Sequence, residues 1–215
     1  MKYQEFFLYL EMNLLNEKSN GCFKKIDTKY NMPIVLESSN NSKHDLPETF
    51  YEVYQKTNGM IITWEANFDN INVYGRTNFL KYDEVIRSWK GELYELEDLE
   101  KNDFLEFFHP FDLITDEAQC GFMITPEETY KSIFYNQSGY AETLRLELDF
   151  KGYVTMLYNS NGYHNWPLAI LHIINNDESE WLSEFKKNMT QLFSDFKWIN
   201  YVETFNSIRL DKTGS

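Results

Sequence analysis

Four histidines (His44, His109, His164, His172), two cysteines (Cys22, Cys120) and thirty-four acidic residues are the side chains from which this 215-residue chain would have to build a reactive or metal-binding site. No histidine stands in an HxxxH, HxH or HxxE spacing, which would place two ligands on one face of a local element. A metal site would need distant segments. His109 with Asp112 and Asp116 is the grouping to test; a loop or strand histidine with a hydrogen bond of its own has the same signature. His164-Asn165-Trp166 reads as a loop that orders a helix start, and His172 as a partly buried, neutral ring. Cys120-Gly121 is the one tempting nucleophile, but no base adjoins it and the carboxylates around it would raise a thiol pKa. The cysteines lack CxxC or CxxH spacing, so neither a zinc site nor a disulfide scaffold is encoded. No GxGxxG, Walker-type loop or G-x-S-x-G occurs. The expectation is a protein that is not an enzyme and carries no cofactor or metal.

Carboxylates are abundant, and their distribution says more than their number. Between Asp83 and Glu128 there are fourteen acids against Arg87, Lys90 and Lys101, a net of −11 out of −14 for the whole chain. A glycosidase needs two carboxyl groups in distinct environments, whereas Glu95, Glu97, Asp98 and Glu100 share solvent on one short segment. A field of this sign repels nucleic acid and anionic lipid and attracts a basic partner, whose association it would accelerate at low salt. Glu92, Glu95, Glu97, Asp98, Glu100 and Asp103 are the steering candidates, with Trp89, Tyr94 and Phe104 as anchors. The same pattern also serves a solvated helix face with no partner.

Composition sets the frame for these residues. With 42% hydrophobic and 17% aromatic content, the chain can close one sizeable core. Glu5 and Glu11 interrupt the apolar N-terminus, which argues against a secretory signal, and no apolar run is long enough to span a bilayer. A soluble cytoplasmic protein is the expectation. Tyr3, Phe6, Phe7, Leu10, Leu14 and Leu15 repeat at helical spacing over residues 2–18. Met32–Leu36 reads as a short strand and 37–43 as a polar loop. Strands are expected at 60–66, 71–74 and 77–81, with Gly75 as a turn, and a helix at 82–100 interrupted at Gly91. Strands follow at 107–114 and 120–124, then a helical turn at 125–128. Thr143–Phe150 alternates polar and apolar, and with Lys151-Gly152 as the connection predicts a hairpin over 142–158. Helices begin at Trp166-Pro167 and Ser179, and 198–208 fits strand or helix. The class is α+β, a mostly antiparallel sheet flanked by N-terminal and C-terminal helices. Residues 1–44 form an N-terminal helix and loop, 45–176 the core and 177–215 a helical extension, all within one domain.

The most informative segment is Leu46-Pro47 through Asn58-Gly59. Asp45 and Glu48 have the spacing of a capping box, Phe50, Val53, Tyr54 and Thr57 share one helical face, and Asn58-Gly59 supplies a left-handed stop before the apolar run Met60–Trp64. This order of elements resembles the SUKH superfamily of Smi/Knr-like proteins. Phe108-His109-Pro110-Phe111-Asp112 stands where that family carries a second motif, although Gln119-Cys120-Gly121-Phe122 replaces its Gly-Asp and the C-terminal part is longer. The resemblance spans Asp45 to Ile174. It implies an immunity protein that neutralises a cognate bacterial toxin, and the acidic field points to a nuclease with a basic groove as that toxin. The eukaryotic relatives imply the alternative, a regulatory protein-interaction scaffold without a toxin.

Overall fold

The computed structural model describes residues 2–18, 21–33, 46–89, 92, 103–137 and 143–210. Seven strands form one antiparallel sheet in sequence order: β1 (Phe23–Tyr30), β2 (Met60–Phe68), β3 (Ile71–Phe79), β4 (Phe108–Leu113), β5 (Ala118–Met123), β6 (Phe134–Gln137) and β7 (Thr143–Arg145). The α-helices among the described residues are α1 (Phe6–Lys18), α2 (Glu48–Tyr54), α3 (Tyr82–Ile86), α4 (Phe150–Asn159), α5 (Pro167–Asn175), α6 (Glu180–Leu192) and α7 (Trp198–Ile208). The class is α+β, with helices towards both ends of the chain.

Alternation builds the sheet. In β2, Met60, Ile62, Trp64 and Ala66 point inward while Ile61 and Glu65 face solvent. Asp69 and Asn70 both adopt left-handed backbone (φ 50° and 63°), the geometry of a two-residue hairpin turn, so β2 and β3 pair along their full length. The core is aromatic. Phe50 from α2, Phe111 and Phe122 from the sheet and Phe150 from α4 meet with ring centroids 5.0–5.9 Å apart, mostly edge-on or tilted. One contiguous buried cluster runs from Phe6 to Phe205, so the C-terminal helices share the core of the sheet. Arg209 pairs with Glu147, and Leu210 N–H donates to the Glu147 carbonyl (2.7 Å), tying the end of α7 to the turn before α4.

Several sequence readings need correction. The hairpin over 142–158 does not form. β7 ends at Arg145, Glu147 turns left-handed (φ 54°), and 150–159 is the helix α4, capped by the Asp149 carboxylate accepting Gly152 N–H at 2.6 Å. β3 runs straight through Gly75. Met32 and Pro33 are not strand, and 34–36 with the polar loop expected at 37–43 lie outside the described residues; the described strand just before them is β1, which ends at Tyr30. α2 starts at Glu48 with Pro47 at its N-cap and no side-chain cap there; Asp45, the other half of the expected box, lies outside the described residues. Gly59 is left-handed as expected (φ 82°), and the Asn58 side chain accepts Tyr82 N–H. The helix that begins at Tyr82 stops at Ile86, and 87–89 are not helical; 90, 91 (where the interruption is expected) and 93–100 of the expected helix lie outside the described residues. Residues 125–128 form a turn closed by Thr125 Oγ1 accepting Glu128 N–H, with no helix. Leu15 faces outward, and α1 buries Phe6, Phe7, Leu10 and Leu14.

The ambiguous segment 198–208 is the helix α7, and Ser179 caps α6 as its position suggests, accepting Leu182 N–H at 3.0 Å. Its hydroxyl also contacts His172 Nε2 at 3.0 Å. Ser179→Ala is expected to lower stability by about 1 kcal/mol, the usual worth of an N-cap, measurable by urea unfolding.

The sheet is weakest at its centre. β3 and β4 share a single register pair, Phe79 with Asp112. Elsewhere along β3 the loop after α4 takes the place of a neighbouring strand: Arg76 N–H donates to Gly162 O (2.8 Å) and His164 N–H to Tyr74 O (3.0 Å). Trp64, from β2, reaches across Gly75 to donate its indole N–H to Asn161 O at 2.7 Å. At the joint itself the Asp112 carboxylate accepts Asn78 N–H (2.8 Å) and the Tyr153 hydroxyl (2.9 Å). A side chain thus supplies the acceptor that β4 does not.

Candidate functional site: an acidic end of the sheet

Antiparallel pairing decides which acids meet. Phe108 opposes Met123, and Ile124 N–H donates to Phe107 O, so the segment entering β4 and the segment leaving β5 lie side by side. Glu106 sits on the first, Glu127 and Glu128 on the second, and all three are exposed. α3 is laid along β4 by the contact of Val85 O with His109 Nδ1 (2.9 Å), which brings exposed Asp83 and half-buried Glu84 to the same end. Glu84 folds back to accept Lys81 N–H (2.9 Å). The apolar residues of these segments, Val85, Leu105, Phe108 and Phe111, are buried, so packing turns the carboxylates outward. Asp116 and Glu117 lie at the opposite end, in the turn between β4 and β5, where Asp116 pairs with Arg76 at 2.6 Å.

Of the sequence candidates, Glu92 is exposed and paired with Arg87, with Nη2–Oε2 at 2.7 Å, which holds its carboxyl below the usual range. Trp89 is only 7% exposed. Its indole N–H donates to Glu84 O (2.9 Å), and the Arg87 guanidinium lies 4.0 Å from its ring centroid. Trp89 therefore belongs to the core and lies under the guanidinium of the Arg87–Glu92 ion pair; it is not a free anchor. Asp103 and Phe104 fall in a short 3-10 helix, Asp103–Phe107, of which the backbone alone is described at those two positions. Tyr94, Glu95, Glu97, Asp98 and Glu100 lie outside the described residues, as does His44. Sequence reasoning passes over Glu106, Glu127 and Glu128 as individual candidates, because only the β4–β5 register unites them.

The grouping of His109, Asp112 and Asp116 does not converge. His109 is engaged with Val85 O, Asp112 is fully buried at the sheet joint, and Asp116 pairs with Arg76. Among the described residues no three His, Cys, Asp or Glu side chains are grouped to hold a metal. Cys120 is buried beside Asp112 and Tyr153, and burial first, then the Asp112 charge, push its thiol well up. His172 links two helices: Nδ1 contacts Asp177 and Nε2 the Ser179 hydroxyl. His164 lies against Tyr74 with centroids 4.3 Å apart and ring planes tilted by 47°, its ring pKa lowered by burial, and these two with Tyr163 and Glu184 line a cleft of about 170 Å³ between β3 and α6. That cleft is smaller than most small-molecule sites.

No helix among the described residues is long and apolar enough to cross a membrane. No protein-family model matches the chain, and neither a curated protein nor a solved structure matches it.

Proposed function

We propose that this chain is a cytoplasmic, non-enzymatic immunity protein that binds a cognate bacterial toxin, a nuclease with a basic groove, and occupies that groove in place of nucleic acid. The SUKH-like order of the first motif suggests the class. The observation that carries the mechanism is that the β4–β5 register sets the segment of Glu106 beside that of Glu127 and Glu128, with Asp83 and Glu84 on α3, which contacts β4 through His109, and Glu92 paired with Arg87 just after α3. Five of the six are exposed, and of these Glu92 alone is ion-paired among the described residues. Carboxylates fixed on a sheet end present negative charge without the entropy of long flexible arms, and they would meet lysines and arginines otherwise used on phosphate.

Co-expression with the toxin domain encoded immediately upstream tests the reading. Rescue of growth, with tight binding that weakens as salt rises, supports it; an upstream toxin that kills despite co-expression overturns it. The surface has its own test. A variant carrying Asp83→Lys, Glu106→Lys, Glu127→Lys and Glu128→Lys is expected to slow association at least about tenfold at low ionic strength, with a smaller change in dissociation. Stopped-flow binding at two salt concentrations reads this, and an unchanged association rate removes this end of the sheet from the mechanism.

A further inference from the structure

Where α5 passes into α6, local backbone chemistry sets three side chains in the connectivity of an activated serine. Asn176 turns left-handed (φ 52°) at the end of α5, and Asp177 N–H donates back to His172 O (3.1 Å), which returns Asp177 to the turn that carries His172. Two residues on, Ser179 caps α6. The Asp177 carboxylate meets His172 Nδ1, and His172 Nε2 meets the Ser179 hydroxyl at 3.0 Å. Trp181 stacks on the imidazole with ring planes 25° apart and centroids at 6.1 Å, which fixes the orientation of the ring.

These contacts place the protons. A carboxylate only accepts, so in the neutral imidazole Nδ1 carries the hydrogen, Nε2 presents its lone pair, and the Ser179 hydroxyl donates to it. That is a nucleophile beside a base whose tautomer is set by a third group. The first turn of α6 supplies the complementary donors. Leu182 N–H, 3.0 Å from Ser179 Oγ, meets charge that develops on that oxygen, and the Glu180 and Trp181 N–H groups, which have no intrahelical acceptor, are available to an oxyanion formed beside it. Ser179 is half-buried and open to solvent on one side.

We propose that Ser179 is an activated nucleophile that accepts an acyl group from an ester or thioester, with His172 as its base and Asp177 as the positioning residue. The Oγ–carbonyl bond forms as the C–O or C–S bond of the donor breaks, and the hydroxyl proton passes to His172 Nε2 and from there to the leaving oxygen or sulfur. The Asp177 side chain is 52% exposed and its charge is screened, so the activation stands at the low end of general-base catalysis, about 100-fold. One transfer per chain modifies Ser179 without turnover, which leaves the non-enzymatic reading above in place, and the acidic sheet end takes no part in it.

The test treats the full chain with p-nitrophenyl acetate, an aryl ester, and with S-acetyl-N-acetylcysteamine, a thioester, and follows acetylation of each serine by mass spectrometry of the digested protein. Ser179 is expected to react about 100-fold faster in the folded chain than in the same chain unfolded in urea, and His172→Gln, with its melting curve checked, to remove that difference. Asp177→Asn, whose amide can donate to Nδ1, is expected to slow the transfer roughly tenfold and to move the imidazole proton from Nδ1 to Nε2, as read by nitrogen NMR. Transfer from either donor supports the proposal and names the leaving group the site takes. No acetyl on Ser179 from either donor overturns it, as does a folded rate equal to the unfolded one or a His172→Gln variant that reacts like the parent. A serine that only caps α6 would give one of these last two results.

Discussion

Gly75→Ala is expected to damage the sheet severely for a change of one methyl group. A Cβ at this position would lie 2.2 Å from Trp64 Nε1, 2.3 Å from Cε2 and 2.5 Å from Gly162 O. The indole cannot retreat freely, because Phe23, Tyr163 and Phe193 surround it with ring centroids 5.4–6.3 Å away. Moving it breaks the 2.7 Å bond to Asn161 O and leaves a buried donor without a partner. Moving Gly162 instead opens the Arg76–Gly162 bond that closes the side of β3. Either route costs about 4 kcal/mol, combining overpacking with a lost buried hydrogen bond. For a chain of this size that is a fall of roughly 8–16 °C in melting temperature. Gly21→Ala is the control. Gly21 is left-handed (φ 81°), and nothing lies within 4 Å of the place its added methyl would take, so the replacement costs only the backbone strain, about 1 kcal/mol. Equal effects at the two positions would mean that conformational freedom, and not the approach of Trp64, keeps glycine at 75.

The same residue shows what is legible in the sequence. Glycine punctuates chains, so Gly75 reads as a turn; in a strand it can equally mark another group approaching the backbone, and that second meaning holds here. β1 escapes notice for a different reason. Its pattern, Phe-Lys-Lys-Ile-Asp-Thr-Lys-Tyr, leaves five of eight positions exposed, as an edge strand kept from pairing by lysines would, so there is no alternation to find. The hairpin over 142–158 fails where two periods compete. Leu146, Leu148 and Phe150 do point inward at strand spacing, but Phe150, Tyr153, Val154 and Leu157 also fit i, i+3, i+4 and i+7 behind an Asp149 cap. Once Glu147 turns the backbone, the helical period wins. Capping and turn chemistry read more reliably, at Ser179, Pro167, Gly59 and Asp69-Asn70, since each is a local choice. The acidic segment is legible as composition, yet which acids converge depends on the β4–β5 register, and Trp89 looks like an anchor because sequence alone does not say which face of a turn is covered.

Replacing Asp112 by Asn is expected to abolish a pH dependence of stability that the parent shows between about pH 4 and 7. Asp112 is fully buried, and burial pushes its carboxyl up to about 7 against the opposing pull of Asn78 N–H, the Tyr153 hydroxyl and Arg76. In the unfolded chain the same group titrates near 4. Between those values the folded protein holds a proton that the unfolded chain has lost, so acidification favours the fold. The contribution is fully present below about pH 4, declines as pH rises towards 7 and is gone above it. Three units correspond to an upper figure of about 4 kcal/mol. The Asn amide preserves the joint: its carbonyl accepts Asn78 N–H, its NH₂ donates to the Tyr153 oxygen, and the Tyr153 hydroxyl can turn to Cys120, already its hydrogen-bonding neighbour. At pH 8 the Asn variant should therefore equal or exceed the parent in stability, whereas Asp112→Ala, which strands Asn78 N–H and leaves a cavity, should lose about 2–4 kcal/mol at every pH. Urea unfolding of the three proteins across pH 4–8 separates these outcomes, because the difference between parent and Asn variant cancels the other titrating groups. A parent and an Asn variant with parallel pH profiles would mean that Asp112 stays ionised in the fold, and that the joint between β3 and β4 is held by a full negative charge.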